Sequence, residues 1–151
     1  MNELFKKRKS IRSFSDKPVE EEKLKKILAA ANSAPSAGGI EAREIIAVTD
    51  PKLQKNISQA AHDQKHVAEV PILLVFVALP EKSAEKYADR GRDLYATQDA
   101  TLAAGFAWLE AVDLGLSASW VGGFIEEEVQ KILDLSEKQK PIALLPIGYA
   151  K

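Results

Sequence analysis

Residues 100–112 read Ala100-Thr101-Leu102-Ala103-Ala104-Gly105-Phe106-Ala107-Trp108-Leu109-Glu110-Ala111-Val112, and only Glu110 among them is charged. They lie inside a predicted helix over residues 94–114. A helix that is apolar nearly all round must be buried on all sides. Because a chain of 151 residues has few elements to cover such a helix, the stretch predicts that a second copy of the chain packs against its far side.

Predicted helices and strands alternate on both sides of this stretch. The strands are expected at residues 44–48, 72–78, 117–121 and 142–147; the second is continuously apolar, as expected for a strand covered on both faces. Further helices are expected from Asn2 to about Lys9 with Leu4 and Phe5 inward, from Pro18 to before Pro35, after Asp50-Pro51, from Glu81, and over residues 126–133. The alternation predicts one domain, residues 1–151, with an α/β or α+β sandwich around a central sheet.

Composition excludes several classes of function. Twenty-one Lys and Arg against 22 Asp and Glu give a net charge of -1, so a nucleic-acid partner is not expected. The absence of cysteine excludes disulfides, a cysteine nucleophile and thiolate metal sites. Any redox chemistry must therefore come from a bound cofactor.

The apolar run at residues 70–79 is too short to cross a bilayer, and no apolar segment follows the N-terminal charges. We expect a cytoplasmic protein with no membrane partner.

The N-terminus concentrates positive charge in Lys6-Lys7-Arg8-Lys9-Ser10-Ile11-Arg12-Ser13-Phe14. If residues 8–13 are extended, Arg8, Ser10 and Arg12 point to one side, because side chains alternate along a strand. Two guanidinium groups and a hydroxyl on one side can bind a phosphate or a polar ring edge. We call Arg8, Ser10 and Arg12 the basic clamp. The alternative interpretation is a solvated basic end.

Two segments of small residues offer bare backbone to a ligand. Residues 33–39, Ser33-Ala34-Pro35-Ser36-Ala37-Gly38-Gly39, form what we call the small-residue loop. Gly122-Gly123 follows a predicted strand, where a flat ligand can lie against main-chain N–H groups. An ordinary tight turn is the alternative for the glycine pair, and core or interface packing is the alternative for the nearby Trp120.

The common catalytic motifs are missing. The chain has no G-x-G-x-x-G, G-x-x-x-x-G-K-[ST], H-E-x-x-H or G-x-S-x-G sequence. His62 and His66 are the only histidines, and on a helix their spacing would place both on one face as potential metal ligands. No strong third ligand accompanies them, although Asp63 and Glu69 are near. We therefore expect no metal.

The order of these segments along the chain resembles the nitroreductase family of FMN flavoproteins. The resemblance covers nearly the whole chain. It rests on the basic segment at residues 8–14, the small-residue loop, Gly115-Leu116-Ser117-Ala118-Ser119-Trp120-Val121-Gly122-Gly123-Phe124, and Pro141-Ile142-Ala143-Leu144-Leu145-Pro146-Ile147-Gly148-Tyr149. It implies an α+β fold with a central, mainly antiparallel sheet flanked by helices, in an intertwined homodimer with FMN at the interface.

The resemblance also implies roles for individual residues. Arg8 and Ser10 would hold the phosphate and ribityl chain, and Arg12 would reach the pyrimidine edge of the isoalloxazine ring. Gly122 would direct its backbone N–H to flavin N5, and Gly123 would keep that approach open. Pro35, Ser36 and Ala37 of the other subunit would line the ring. The complete cofactor-binding set implied is Arg8, Lys9, Ser10, Arg12, Pro35, Ser36, Ala37, Gly38, Gln64, Val121, Gly122 and Gly123, with Asp63 and His66 nearby.

The sequence departs from the family pattern in three places. After Gly38, the common Asn-x-Gln-Pro-Trp is replaced by Gly39-Ile40-Glu41-Ala42-Arg43, which predicts charges from Glu41 and Arg43 at the mouth of the site. No Arg-bearing tail follows Tyr149, so Lys151 would substitute for it only in part. The segment over residues 80–94 is short, so the helical lid over the substrate channel is expected to be reduced.

The reaction implied by the resemblance is ping-pong. NADH or NADPH would deliver hydride to flavin N5 and be replaced by a nitroaromatic, quinone or similar acceptor. The flavin carries the chemistry, so no catalytic side chain is required. Two alternatives remain: an FMN-binding relative with a specialised reaction or none that uses nicotinamide, and a small nucleic-acid binder that uses residues 6–12.

Overall fold

A four-stranded antiparallel sheet forms the centre of the computed structural model, which describes residues 1–151. The strands are β1 (Arg43–Val48), β2 (Ile72–Ala78), β3 (Ser117–Ala118) and β4 (Lys140–Gly148), in the spatial order β1-β2-β4-β3. Ile45 pairs with Phe76, and Val75 pairs with Leu144. The central strands β2 and β4 are therefore both covered along their edges.

Seven α-helices surround the sheet: α1 (Glu3–Lys7), α2 (Glu21–Ser33), α3 (Pro51–Ala60), α4 (Lys65–Ala68), α5 (Pro80–Arg90), α6 (Ala96–Asp113) and α7 (Glu126–Ile132). A 3₁₀ turn covers Ala37–Gly39 and a π turn covers Gly91–Tyr95. The predicted helix starts at Asn2 and Asp50 are confirmed, since each side chain accepts a hydrogen bond from a backbone N–H of its first turn. Gly115, with a φ of +79°, ends α6 as expected.

The sheet separates two apolar cores. Alternation along β2 directs Leu74 and Phe76 toward α2 and α6, where they meet the alanines of α6. Leu73, Val75 and Val77 face the opposite layer, which holds Ile57 of α3, Val67 of α4 and Val129 of α7. All seven β2 residues are buried, so the continuous apolar run does mark a strand covered on both faces. The α+β sandwich predicted from the sequence is confirmed.

Helix α6 is buried on one side only within a single chain. Ala103, Ala104, Ala107 and Ala111 form its buried side. On the other side, Leu102 is 42% exposed and Phe106 is 39% exposed. An exposed apolar helix face of this kind is expected where another protein surface covers it.

Three local predictions need correction. Phe5 does not point inward: it is 52% exposed, because α1 is a short helix at the surface with no buried residue. The predicted strand over residues 117–121 is reduced to Ser117–Ala118, with Val121 forming an isolated bridge to Leu144. The long helix begins at Ala96, after the π turn, rather than at residue 94. No helix in the structure combines the length and apolarity that crossing a membrane requires.

Candidate functional site

The basic segment runs extended along the outer edge of the sheet. Ser10 forms a parallel bridge with Ala118 of β3, and the Ile11 N–H donates to the Ala118 carbonyl at 3.0 Å. Further on, Phe14 bridges Ala150 and is 4% exposed. Ile11 and Phe14 therefore fix the segment against the core, while Ser10 and Arg12 are exposed and Arg8 is half-buried.

The cations of this segment lack carboxylate partners. Lys6 pairs with Glu3 at 2.6 Å, whereas Arg8, Lys9 and Arg12 make no ion pair within the chain. Their positive charges are therefore uncompensated inside one protomer, which favours an anionic ligand at the sheet edge.

Gly122 and Gly123 follow Val121, which lies three residues after the Ala118 that pairs with the basic segment. The N–H and carbonyl of Val121 each bond to Leu144 at 2.9 Å, and the chain then turns outward. The N–H groups of Gly122 and Gly123 are exposed and make no hydrogen bond within the chain. A Cβ on Gly122 would lie 3.2 Å from Nε1 of Trp120, so a larger residue would crowd this surface.

Gln64 and His66 complete this side of the site. Nε2 of Gln64 donates to the Gly123 carbonyl at 3.2 Å and to the Ala61 carbonyl at 2.9 Å. His66 is 9% exposed, and its Nε2 has no partner. Burial lowers the pKa of His66 below its usual 6.5, and the positive charge of Arg12 lowers it further. Gln64 thus fastens its segment to the glycine pair, and Arg12 is near enough for its charge to act on His66.

The two histidines do not share a helix face. His62 lies in the turn after α3 with a φ of +59°, whereas His66 lies in the separate short helix α4. The premise that both occupy one helix face is wrong, because the chain reverses between them. His62 instead approaches the glycine pair, with Cδ2 3.9 Å from the position of a Cβ on Gly123.

The small-residue loop is held by two buried charged side chains. Asp99 of α6, 2% exposed, accepts from the Ala37 N–H at 3.0 Å and from the Ala42 N–H at 3.1 Å. Nη2 of Arg43 donates to the carbonyls of Asn32 and Ala34 at 3.0 and 2.9 Å. The backbone of the loop is thus fixed at both ends.

The predicted charges at the mouth of the site reduce to one. Glu41 is exposed, but the Arg43 side chain is only 2% exposed because its guanidinium turns inward to cap the end of α2. The expectation that Arg43 faces the mouth is wrong.

Within the loop, Gly38 has a φ of +60°, and a Cβ there would collide with the Tyr87 hydroxyl. Pro35 is exposed, and the Oγ of Ser36 accepts from the Glu41 N–H at 2.9 Å. A cavity of about 450 Å³ opens beside this loop. Its lining residues are Ala37, Tyr95, Gln98, Asp99, Thr101 and Leu102.

The predicted residues fall into two separate groups within one chain. The basic segment, Gln64, Val121 and the glycine pair lie together, and Arg8 lies over Trp108 of α6. The small-residue loop is fastened to Asp99 of the same helix. Nine residues separate Asp99 from Trp108, which is about 14 Å along a helix axis. The loop and the clamp are thus attached to α6 at points about 14 Å apart along its axis.

Sequence reasoning did not assign Trp108 and Asp99 to the site and gave Lys151 only a partial role. Asp99 had a usable signal, since it is a carboxylate at the start of an otherwise apolar helix. No local signal in the sequence pointed to Trp108, because an aromatic residue in an apolar helix usually belongs to the core. The backbone N–H of Lys151 donates to the Ser13 carbonyl at 3.2 Å, so the main chain of Lys151 adjoins the basic segment.

The chain is similar to known proteins over nearly its whole length. The model of the nitroreductase family matches residues 5–75 and 63–149. A Thermus thermophilus protein named NADH dehydrogenase is 31% identical, over 95% of this chain and 83% of its own length. FMN reductase (NAD(P)H) of Bacillus subtilis is 31% identical, over 99% of this chain and 66% of its own.

A solved structure extends the likeness to the fold. The FMN-dependent nitroreductase of Clostridium difficile has a TM-score of 0.85 and 30% identity, over 98% of this chain and 86% of that one. The predicted nitroreductase fold is thereby confirmed. With a family match from residue 5 to residue 149, the chain belongs to the nitroreductase family.

Proposed function

We propose that this protein is an FMN-dependent oxidoreductase that uses NADH or NADPH to reduce nitroaromatic, quinone or similar acceptors. The observation that carries the proposal is the surface where unpaired Arg8 and Arg12 adjoin the free N–H groups of Gly122 and Gly123. The names of the relatives, which include an FMN reductase and an FMN-dependent nitroreductase, support the same cofactor.

The residues present fit FMN in charge and shape. Arg8 and Ser10, with Lys9 beside them, would hold the phosphate and ribityl chain, because guanidinium forks and hydroxyls suit phosphate oxygens. Arg12 would face the polar edge of the ring. Gly122 and Gly123 expose donors without side chains to block a flat ring. Val121 and Gln64 hold that turn in place through Leu144 and the Gly123 carbonyl.

We propose that the complete site needs two copies of the chain. The loop residues Pro35–Gly38 are fastened far from the clamp of their own chain, as the positions of Asp99 and Trp108 on α6 show. If two copies of α6 pack antiparallel through Leu102 and Phe106, the Asp99 end of one helix lies near the Trp108 end of the other. Each clamp would then face the small-residue loop of the partner. This arrangement would also cover the exposed apolar side of α6.

When bound, FMN supplies the two-electron chemistry between the nicotinamide and the acceptor. Each turnover transfers one hydride from NAD(P)H, and a quinone becomes a hydroquinone with one further proton from solvent. The positive charge of Arg12 would stabilise negative charge on the reduced ring. Burial and Arg12 both lower the pKa of His66 and so favour its neutral form, leaving Arg12 as the charged group on that side.

A second candidate is an FMN-binding relative with a specialised reaction. Glu41, exposed next to the loop with a φ of +53°, favours it, because a carboxylate there would repel anionic acceptors and attract cationic ones. Nη2 of Arg43 lies 4.0 Å from Oε1 of Glu41, but this contact compensates only part of the charge, because the Glu41 side chain remains 62% exposed.

A visible spectrum of the purified protein, with identification of the released flavin, tests the proposal. We expect bound or added FMN to give a flavin spectrum that NADH or NADPH bleaches under anaerobic conditions. A protein that binds no FMN would exclude both candidates. FMN that neither nicotinamide bleaches would favour the second.

A further inference from the structure

Trp108 lies against the Arg8 guanidinium of the clamp. It lies on α6, and the Arg8 guanidinium carbon is 4.8 Å from the centroid of its ring. Arg8 follows directly after α1, with a φ of -62° and a ψ of 113°, so its side chain extends from the start of the basic segment toward α6. At this distance the positive charge is attracted by the electron-rich face of the indole.

Hydrogen bonding does not explain why tryptophan occupies position 108. Nε1 of Trp108 is buried and has no partner in the chain. A buried donor without an acceptor is unfavourable, and leucine or phenylalanine would fill the space without it. What tryptophan offers beyond these residues is the strongest cation–π face among the aromatic side chains.

Arg8 remains free to bind a ligand in this position. No carboxylate pairs with it, and no side-chain hydrogen bond within the chain uses its donors. A free arginine side chain occupies many rotamers, and fixing it on binding costs entropy. A guanidinium already held over a ring loses less of that freedom when a ligand arrives.

We propose that Trp108 is a positioning residue that holds the Arg8 guanidinium ready for the phosphate of the cofactor. This inference rests on the proposed function, because it requires FMN with its phosphate at Arg8. It assigns to Trp108 a role in the discrimination of FMN from riboflavin, which carries the same ring and ribityl chain but no phosphate.

The test is a double-mutant cycle of Arg8→Ala and Trp108→Leu. The affinities of each variant for FMN and for riboflavin are measured by quenching of flavin fluorescence. We expect Arg8→Ala to weaken FMN binding tens-fold, and Trp108→Leu to weaken it about two- to thirtyfold, the range of a cation–π contact. Riboflavin affinity should stay within about twofold in both variants. In the Arg8→Ala background, Trp108→Leu should have no further effect on FMN.

Three controls keep the test decisive. Trp108→Phe, which keeps a smaller and weaker aromatic face, should lose less FMN affinity than Trp108→Leu. Lys7→Ala, which removes an exposed neighbouring cation, should leave both affinities unchanged. Thermal melting and gel filtration should show that the variants keep the fold and the oligomeric state of the parent.

Equal losses of FMN and riboflavin in Trp108→Leu would overturn the proposal, since they indicate general damage to the site. So would an undiminished effect of Trp108→Leu in the Arg8→Ala background. If Arg8→Ala itself leaves FMN affinity unchanged, or the parent binds no FMN, the placement of the phosphate fails first and the role of Trp108 fails with it.

Discussion

The small-residue loop and the basic clamp are fixed in opposite ways. The loop is held within one chain: buried Asp99 and Arg43 together bond to four backbone atoms in the loop and at its two flanks, those of Asn32, Ala34, Ala37 and Ala42. The clamp presents Arg8 and Arg12 without any carboxylate partner. One half of the candidate site is therefore preorganised by internal hydrogen bonds, and the other retains uncompensated charge that an anionic ligand would neutralise.

Replacing Asp99 breaks the anchored half. In Asp99→Leu, the N–H groups of Ala37 in the loop and of Ala42 just after it lose their acceptor, and each unpaired buried N–H costs about 1–3 kcal/mol. We expect the free energy of unfolding, measured by urea denaturation, to fall by about 3 kcal/mol. Gln98→Leu, at an exposed neighbouring position, should change it by less than about 0.5 kcal/mol. Similar losses in both variants would mean that the loop is not held by Asp99.

Replacing Arg8 breaks the charged half and leaves stability nearly intact. Arg8→Ala removes charge-assisted hydrogen bonds to the phosphate and should weaken FMN binding by about 2 kcal/mol, or tens-fold. Lys9→Ala, on the other side of the extended segment, should weaken it by less than about threefold. Equal effects of the two variants in a titration would contradict a one-sided clamp.

The two glycines of the 3₁₀ turn sharpen the description of the loop. Gly38 and Gly39 both have a positive φ, which costs alanine about 1 kcal/mol. Only Gly38 also faces a neighbour, the Tyr87 hydroxyl, whereas nothing lies within 4 Å of a Cβ on Gly39. Gly38→Ala should therefore destabilise the protein by about 1 kcal/mol more than Gly39→Ala, and Tyr87→Phe should reduce that difference. An equal effect in thermal melts would show that Tyr87 yields without cost.

The smallest expected effect concerns pH on the clamp side. The pKa of His66 is lowered in the folded protein by burial and by Arg12, so the unfolded chain takes up a proton more readily. Stability should fall as the pH drops below about 6.5 and level off below the folded pKa, by under about 1 kcal/mol. In urea titrations, His66→Gln should lose this part of the acid sensitivity. An unchanged pH profile in that variant would exclude His66 as its source.

Local signals in the sequence predicted most of the fold. The helix start at Asp50-Pro51, the end of α6 at Gly115 and the buried strand Ile72–Ala78 each depend on residues within a few positions of one another. The period-two pattern of the basic segment was likewise sufficient to place Ile11 inward and Ser10 and Arg12 outward, whereas Phe14, three positions after Ile11, is buried without following that pattern.

Contacts between distant residues account for what the sequence did not reveal. The bonds from Asp99 to the loop span 57 and 62 residues, and Trp108 meets Arg8 from another element. Arg43 is charged and follows a flexible stretch, which favours the surface, yet carbonyls at the end of α2 draw its guanidinium inward. His62 and His66 would share a face only on one continuous helix. The chain instead turns at His62 and Asp63. Such positions depend on tertiary context that local pattern does not contain.

The central claim is that each site joins the clamp of one chain to the loop of another, and subunit mixing tests it most directly. Arg8→Ala disables the clamp, and Pro35→Trp, at an exposed position, fills the space of the ring beside the loop. Differently tagged copies of the two variants can be purified as a mixed dimer. The account predicts that both homodimers bind FMN poorly, while the mixed dimer regains one tight FMN site from the two undamaged halves. A mixed dimer that binds FMN no better than the homodimers would contradict it, because each site would then belong to a single chain.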